Sequence, residues 1–333
     1  SCSFVPRACS ERRCVLLNPT LAETRPPAPG RMRTGSILLA VVAAVFLVAP
    51  HLYGNQSLLF TMMAFIVLAQ GLNLLYGFTG YLPFGYVGFF GSGAYATSLL
   101  VMHTHLPVLA CVLGGGLAAA LIGLMLGPLL RLSGAYFSIA NLAASQIIYF
   151  VVSNPNLADL TGGPYGLKIE QVYNPQASYY CMLAVLLVAC AFAAYFRTSG
   201  FGMALRAVKQ DPVSAAMAGI DVVRMRLVAW LVSALVAGLA GGAYAWGISV
   251  FYPDAVFTLQ FSVFAIVFAL FGGVGTVIGP IIGASLLYTL YSAIGISTPQ
   301  YFQFIYGGLI VLLVLFLPGG LLSLLQRRGI HVF

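Results

Sequence analysis

Long apolar stretches alternate with short polar ones along most of this chain. No Asp, Glu, Lys or Arg occurs from Thr34 to Leu130, and Asp254 is the single charged residue from Leu227 to Gln326. A helix needs about 20 predominantly apolar residues to cross a bilayer. The pattern predicts ten such spans, at about 35–53, 57–76, 85–103, 106–130, 135–153, 178–196, 227–248, 259–278, 280–296 and 301–318.

The third, eighth and ninth predicted spans are rich in glycine, so we interpret each as either a continuous span or a broken one. Residues 234–245 and 271–284 carry many small side chains, which let helix backbones approach closely. The pair Gly279 and Pro280 also permits a broken helix that lines a cavity. Tight packing and a role in a solute path are both compatible with these stretches.

The composition indicates the same class of protein. Of the 333 residues, 61% are hydrophobic and 7% are charged, whereas a soluble domain carries roughly 25% charged residues. The predicted fold is therefore all-α, with about ten transmembrane helices, some of them broken or re-entrant. The net charge of +8 does not predict nucleic-acid binding, because basic residues in a membrane protein mostly report its orientation.

Residues 1–31 differ from the rest of the chain, since they are rich in Arg, Pro and Cys and lack an apolar run. We interpret them as a non-native or disordered leader and place the native start at Met32. A cleaved signal peptide is the alternative. The membrane-embedded domain then covers residues 32–333.

The basic residues near the spans predict the orientation. Arg31 and Arg33 precede the first span, Arg131 separates the fourth and fifth, and Arg327 and Arg328 follow the tenth. Lys and Arg are enriched in cytoplasmic loops. Ten spans with a cytoplasmic N-terminus place all of these residues, and the C-terminus, in the cytoplasm.

A charged loop at residues 197–226 separates the sixth and seventh spans and holds five of the fifteen Lys and Arg residues. Asp211 and Pro212 suit the N-cap and first turn of a short helix, and Gly219 suits its C-terminal stop. The loop therefore predicts two short helices on the cytoplasmic face. Their exposed Ala and Met side chains offer a surface for a partner protein, and a solvated loop without a partner is the alternative.

Motifs for chemistry are missing from the sequence. It contains no G-x-x-x-x-G-K-[ST], no G-x-S-x-G and no H-E-x-x-H, and these patterns mark phosphate-binding, hydrolase and zinc sites. No pair of cysteines has metal-ligand spacing, and no pair of carboxylates lies inside a predicted span. We expect no catalytic residue, no metal site and no cofactor in this chain. If the chain is a transporter, we expect its energy to come from a partner.

Polar side chains inside the spans are the candidates for a solute path. Ser138, Asn141 and Ser145 are three and four residues apart, so they share one face of a helix. Gln146 follows them, and Asn73 lies in the second span. Hydrogen bonding between helices is the alternative role for all five.

Several stretches, in this order, resemble one known family. They are G-L-N-L-L-Y-G-F-T-G at 71–80, F-G-Y-V-G-F-F-G-S-G-A-Y at 84–95, L-R-L-S-G-A-Y-F-S-I at 130–139, T-G-G-P-Y-G-L at 161–167, G-F-G-M-A-L-R-A-V-K at 200–209, A-A-M-A-G-I at 215–220 and F-G-G-V-G-T-V-I-G-P-I-I-G-A at 271–284. Together they resemble the branched-chain amino acid permease family of ATP-binding cassette (ABC) importers, the LivH/LivM-type transmembrane subunits. The order of the stretches and the T-G-G-P-x-G-L stretch at 161–167 are more similar to the LivM type.

The resemblance implies a permease subunit that moves branched-chain amino acids, or a related small polar solute, across a bacterial or archaeal cell (inner) membrane. It implies four partners besides the bilayer: two cytoplasmic ABC ATPase subunits that bind ATP and Mg, a second LivH-type permease, and a periplasmic or lipid-anchored solute-binding protein. The charged loop would couple this chain to an ATPase. Its implied coupling residues are Gly200, Gly202, Ala204, Arg206, Ala207, Asp211, Ala215, Ala216 and Gly219.

The sequence departs from the family pattern at four positions. Pro83 stands where the family usually has Ser, and Tyr86 stands where it usually has His. Gln146 stands where the family often has Glu, and the family has Arg near the position of Tyr149. These differences leave the fifth span uncharged, which bears on the solute more than on the fold.

Other functions stay open at this point. A permease of the same family for urea or short amides is the alternative solute class. An ATP-independent channel or secondary carrier has no need for a helical docking loop, and an intramembrane enzyme is disfavoured because acid, base and metal-binding residues are missing.

Overall fold

The chain folds as a bundle of apolar α-helices. Seven helices within the described residues are long and apolar enough to cross a membrane. An all-α, multi-pass membrane protein is therefore confirmed, whereas the predicted count of about ten spans is not. The computed structural model describes residues 40–50, 54–104, 106–169 and 172–297, together with 307, 308, 311 and 321.

The described helices follow the apolar stretches of the sequence. In chain order they are α1 (Ala40–Pro50), α2 (Gln56–Leu72), α3 (Val87–His103), α4 (Val108–Met125), α5 (Ala135–Val152), α6 (Ala158–Thr161), α7 (Pro175–Thr198), α8 (Gly200–Gln210), α9 (Pro212–Met217), α10 (Val222–Ile248), α11 (Pro253–Phe257), α12 (Leu259–Gly272) and α13 (Ile278–Ser297). A π-helical turn, Asn73–Gly77, extends α2.

Each of the predicted second to ninth spans overlaps one long helix; these helices are α2, α3, α4, α5, α7, α10, α12 and α13. The fourth ends early, at Met125, and a 3-10 turn at Gly127–Arg131 follows it. The eighth ends at Gly272, so the chain at 273–277 is a turn between α12 and α13. The leader at 1–31, part of the first span and almost all of the tenth lie outside the described residues.

The longest of these helices, α10, lies at the centre of the bundle against α3, α4, α2 and α7. Small residues permit this packing, because a Cβ added to Gly93 of α3 would overlap the backbone of Gly238 in α10. Trp230 is fully buried, and its indole N–H donates to the carbonyl of Gly123 over 2.7 Å. In the structure, the small residues at 234–245 therefore serve close packing between helices.

The bundle has two distinct ends. One carries the short helices α8 and α9, which connect α7 to α10, and we call residues 199–219 the hairpin and this side the hairpin end. The other end carries a two-stranded antiparallel ribbon of β1 (Leu167–Lys168) and β2 (Val250–Phe251), which the sequence pattern did not predict. Trp246 secures the ribbon end by donating its indole N–H to the carbonyl of Val172 over 2.9 Å.

Candidate functional site

Local side-chain caps define the helices of the hairpin. The Ser199 side chain accepts a hydrogen bond from the Gly202 N–H at the start of α8, and Asp211 accepts one from the Val213 N–H at the start of α9. Gly219 has a φ of +85°, a conformation that glycine adopts without strain at a helix C-terminus. The predicted N-cap at Asp211 and stop at Gly219 are confirmed.

The surroundings of two charged groups in the hairpin, Asp211 and Lys209, lower their pKa values. The Ser214 hydroxyl and the Val213 N–H both donate to Asp211, and they hold the pKa of this carboxyl below its ordinary value. The carboxylate is therefore the stable form at neutral pH, which is the form that best caps a helix N-terminus. Partial burial lowers the pKa of Lys209 from its ordinary value.

One face of the hairpin packs on the bundle. Leu205, Val208 and Ala215 are buried. Gly202 lies against the backbone carbonyl of Phe196, where a Cβ would overlap the oxygen. This face packs the hairpin against the end of α7 and against α10.

The opposite face of the hairpin is exposed and apolar. Met203, Val213 and Met217 are 55%, 66% and 79% exposed. Among the predicted coupling residues, Gly202 and Ala215 are buried, Ala204 and Ala207 are partly buried, and the exposed ones are Gly200, Arg206, Asp211, Ala216 and Gly219. The Arg206 guanidinium turns back onto the hairpin and donates to the carbonyls of Gly202 and Arg197.

Lys209, at the end of α8, connects the hairpin to α2. Its ammonium donates to the carbonyl of Gly77 over 2.9 Å and lies 5.7 Å from the centre of the Tyr76 ring. Gly77 ends the π-helical turn of α2, and the last carbonyls of a helix lack partners within it and attract cations. Lys209 is not among the predicted coupling residues, because the carbonyl that it binds lies 132 residues away in the chain.

The same π-helical turn holds the turn at 273–277 between α12 and α13. Asn73 donates to the Thr276 carbonyl over 2.8 Å and accepts from the Gly275 N–H over 2.7 Å. Gln70 donates to the Val277 carbonyl. Hairpin, α2 and this turn are thus joined by consecutive hydrogen bonds, which we call the Lys209–Asn73 connection.

Polar side chains of α5 bind the non-helical chain at residues 80–86, between α2 and α3. Asn141 accepts from the Gly85 N–H over 2.8 Å, and Ser138 donates to the Leu82 carbonyl over 2.6 Å. Non-helical backbone at membrane depth requires such partners. These two predicted path residues therefore satisfy backbone groups in this conformation.

The other predicted path residues differ in their surroundings. The Ser145 hydroxyl donates to the Leu142 carbonyl of its own helix over 2.8 Å. Gln146 is half-buried and forms no hydrogen bond with another described residue. One turn further along α5, Tyr149 donates to the Asp254 carboxylate over 2.6 Å. Among the predicted path residues, Gln146 is thus the one whose side-chain amide has no hydrogen-bond partner among the described residues.

The fold and the hairpin together define a class of protein. Within the residues that the structure describes, no group of three or more His, Cys, Asp or Glu side chains could hold a metal ion. The chain is a multi-pass helical membrane protein with a capped, apolar-surfaced hairpin at one end, an architecture suited to a membrane transport component.

Comparison with known proteins identifies the family. The chain belongs to the family of branched-chain amino acid transport system permease components, whose model matches residues 55–314. The predicted family is therefore confirmed. No solved structure was found to match the chain.

Individual relatives carry the same kind of name. The chain is 29% identical over 325 residues to the high-affinity branched-chain amino acid transport system permease protein LivM of Escherichia coli (strain K12), a match that covers 88% of this chain and 75% of the relative. It is 27% identical over 285 residues to the probable branched-chain amino acid transport permease protein LivH of Methanocaldococcus jannaschii, covering 75% and 84%. It is also 27% identical over 236 residues to the L-arabinose ABC transporter permease protein AraH of Azospirillum brasilense, covering 66% of each chain.

Proposed function

We propose that this chain is one of two membrane-spanning subunits of an ABC importer for branched-chain amino acids. The match to the LivM relative over 88% of the chain supports this solute class. The similarity to an L-arabinose permease keeps other small polar solutes, such as urea or short amides, as the alternative. The permease itself is non-catalytic and binds no cofactor, and partner subunits bind ATP and Mg.

The observation that carries the proposal is the hairpin. It is capped at both helix starts, packed on the bundle through Leu205 and Val208, and apolar on its exposed face. An exposed apolar patch beside charged residues is typical of a protein interface. We assign this face to a cytoplasmic ABC ATPase. Two ATPases, a LivH-type permease and a solute-binding protein complete the proposed importer.

The charge distribution supports the orientation. By the positive-inside rule, the hairpin end faces the cytoplasm, and both termini are proposed to lie on that side. Lys168 belongs to the ribbon at the other end, which we place outside. The described basic residues of the hairpin end are Arg131, Arg197, Arg206, Lys209, Arg224 and Arg226.

Energy would enter through the Lys209–Asn73 connection. When two ATPases close on ATP, a docked hairpin is displaced with them, as in other rigid-element transitions. Lys209 passes this displacement to the end of α2, and Asn73 passes it to the turn at 273–277. Movement of α2 and α12 against α5 would then open and close the solute path.

We propose that the path follows the polar face of α5 and includes Asn73 at the end of α2. A cavity of about 370 Å³ lies beside this face, between residues 80–84 and the start of α5, and Ser138 contributes to its lining. The proposed path residues are Asn73, Ser138, Asn141, Ser145 and Gln146. In the conformation described here, Gln146 is the one available to a solute.

Reconstitution tests the proposed function. The chain purified from its native membrane is expected to bring an ATPase with it, and the complex in liposomes should accumulate labelled leucine only when ATP and the solute-binding protein are present. Vesicles loaded with ADP are the control, and labelled urea tests the alternative solute. Leucine uptake by this chain alone, without ATP, would show a channel or carrier instead.

A further inference from the structure

A second cavity, of about 520 Å³, opens at the hairpin end, away from the hairpin itself. It lies between the Gly127–Arg131 turn and the first turns of α10. Leu124, Leu130 and Leu227 provide an apolar wall, and Arg131 and Arg226 bring two guanidinium groups to the same space. None of these residues belongs to the Lys209–Asn73 connection or to the proposed path.

The Arg226 guanidinium is held in place from one side. It stacks 4.9 Å from the centre of the Tyr81 ring, and the Tyr81 hydroxyl donates to the Leu130 carbonyl over 3.4 Å. The Arg226 Nε is buried and has no hydrogen-bond partner among the described residues. A buried N–H of a charged guanidinium is unfavourable without a hydrogen-bond partner, unless an anion or a water molecule supplies one.

No described carboxylate neutralises the two arginines. Asp221, the acidic residue nearest in sequence to Arg226, binds Arg224 over 2.9 Å instead. Asp211 caps α9 in the hairpin, and Asp254 lies just beyond the ribbon at the other end of the bundle. Within the described part of the chain, the cavity therefore carries two uncompensated positive charges.

An exposed stripe of leucines runs along α4 to this cavity. Leu113, Leu117, Leu121 and Leu124 are each at least half exposed, and their spacing of three or four residues puts them on one helix face. In a membrane-spanning helix, such a face lies in the hydrocarbon. The stripe ends at Leu124, in the wall of the cavity, so the arginines lie at the boundary between hydrocarbon and water.

We propose that the cavity binds the headgroup of an anionic phospholipid. The phosphate would lie between Arg131 and Arg226, whose planar guanidinium groups suit phosphate oxygens. One acyl chain would cover the leucine stripe of α4. Basic pockets between helices at the cytoplasmic side of a membrane bind anionic headgroups in this manner. A free phosphate would use the arginines but not the stripe.

Native mass spectrometry of the transporter, purified with its partner subunits, tests this site. After exchange into phosphatidylglycerol or phosphatidylcholine, the wild type is expected to retain phosphatidylglycerol selectively. The double variant Arg131→Gln/Arg226→Gln should retain at least about tenfold less of it. Arg224→Gln is the matched control, because Arg224 is 85% exposed and pairs with Asp221, and it should behave as wild type.

The outcomes separate the possible occupants. Equal retention of both lipids, or unchanged retention by the double variant, overturns the proposal. Displacement of the lipid by glycerol phosphate at millimolar concentration would also overturn it, since it would show that the acyl chain contributes nothing.

A second measurement uses the wild-type protein and so does not depend on the folding of variants. A phosphatidylglycerol with a photoreactive group near its headgroup should label residues 121–131 or 222–228. Labelling elsewhere, or labelling of the partner permease in place of these residues, overturns the site.

Discussion

Two glycines in the first turn of α8 have opposite surroundings. A Cβ at Gly202 would overlap the carbonyl oxygen of Phe196, whereas a Cβ at Gly200 would meet nothing within 4 Å. Alanine is favoured over glycine within a helix by about 1 kcal/mol. The two positions look alike in sequence. The contact with Phe196 therefore decides whether a change from glycine to alanine stabilises or destabilises the helix.

We therefore expect Gly202→Ala to destabilise the hairpin by about 1–3 kcal/mol and Gly200→Ala to leave it unchanged or slightly more stable. The rate of trypsin cleavage after Arg206 and Lys209 in purified protein measures this difference. Faster cleavage in Gly202→Ala but not in Gly200→Ala is the expected result. Equal rates in the two variants would contradict the packing described here.

Gln146 provides the test of the proposed path. Replacing it with Leu removes its hydrogen-bonding groups at similar volume, and we expect uptake to fall about three- to tenfold, the effect of losing one neutral hydrogen bond. ATPase binding should not change. Ile147→Leu is the control, because Ile147 is 63% exposed on the adjacent side of α5. Normal uptake by Gln146→Leu would remove this residue from the path.

The short helix α9 presents the part of the hairpin most suited to a partner. Val213 and Met217 are four residues apart and both strongly exposed, so they form one apolar patch. Residues at the centre of an interface often contribute 2 kcal/mol or more to binding. A charge placed in this patch would have to be desolvated on docking.

Met217→Glu is therefore expected to weaken ATPase binding by at least about tenfold while the protein still inserts into the membrane. Co-purification of the ATPase measures the effect. Tyr165→Glu is the matched control, because Tyr165 is 81% exposed against 79% for Met217 and lies at the ribbon end. Loss of the ATPase in both variants would indicate a general folding defect rather than a docking site.

Across the bundle, Lys209 is the residue that joins the proposed docking element to the membrane helices. The change Lys209→Met keeps most of the apolar length and removes the hydrogen bond to the Gly77 carbonyl. Hydrogen bonds that involve a charged group contribute about 1.5–3 kcal/mol. We expect ATP hydrolysis to continue and leucine uptake per ATP hydrolysed to fall about tenfold or more.

The same substitution at Lys168, in the ribbon, is the control and should leave this ratio unchanged. The ratio is measured in proteoliposomes from parallel assays of uptake and phosphate release. If Lys209→Met transports normally per ATP, the Lys209–Asn73 connection has no role in coupling. If it no longer binds the ATPase, Lys209 supports docking rather than transmission.

Features that depend on neighbouring residues were predictable from the sequence. Asp211 and Pro212 start α9, and Gly219 ends it, because caps and turns are made by groups a few residues apart. Membrane insertion was predictable for a different reason, since hydrocarbon excludes charged and unbonded polar groups along any stretch of about 20 residues. The ordered motifs were sufficient to identify the family.

Contacts between helices were not predictable in the same way. Lipid tails are as apolar as the side chains of a neighbouring helix, so an apolar side chain has no hydrophobic preference for either. Apolar spans therefore do not indicate which helices are in contact. Asn141 binds Gly85, 56 residues away, and Asn73 binds Gly275, 202 residues away. Apolar patterning and local capping therefore account for the class, the spans and the hairpin. Only the tertiary structure brings Lys209 to the end of α2 and Asn141 to the backbone at 80–86. It also brings Arg131 and Arg226 to one cavity.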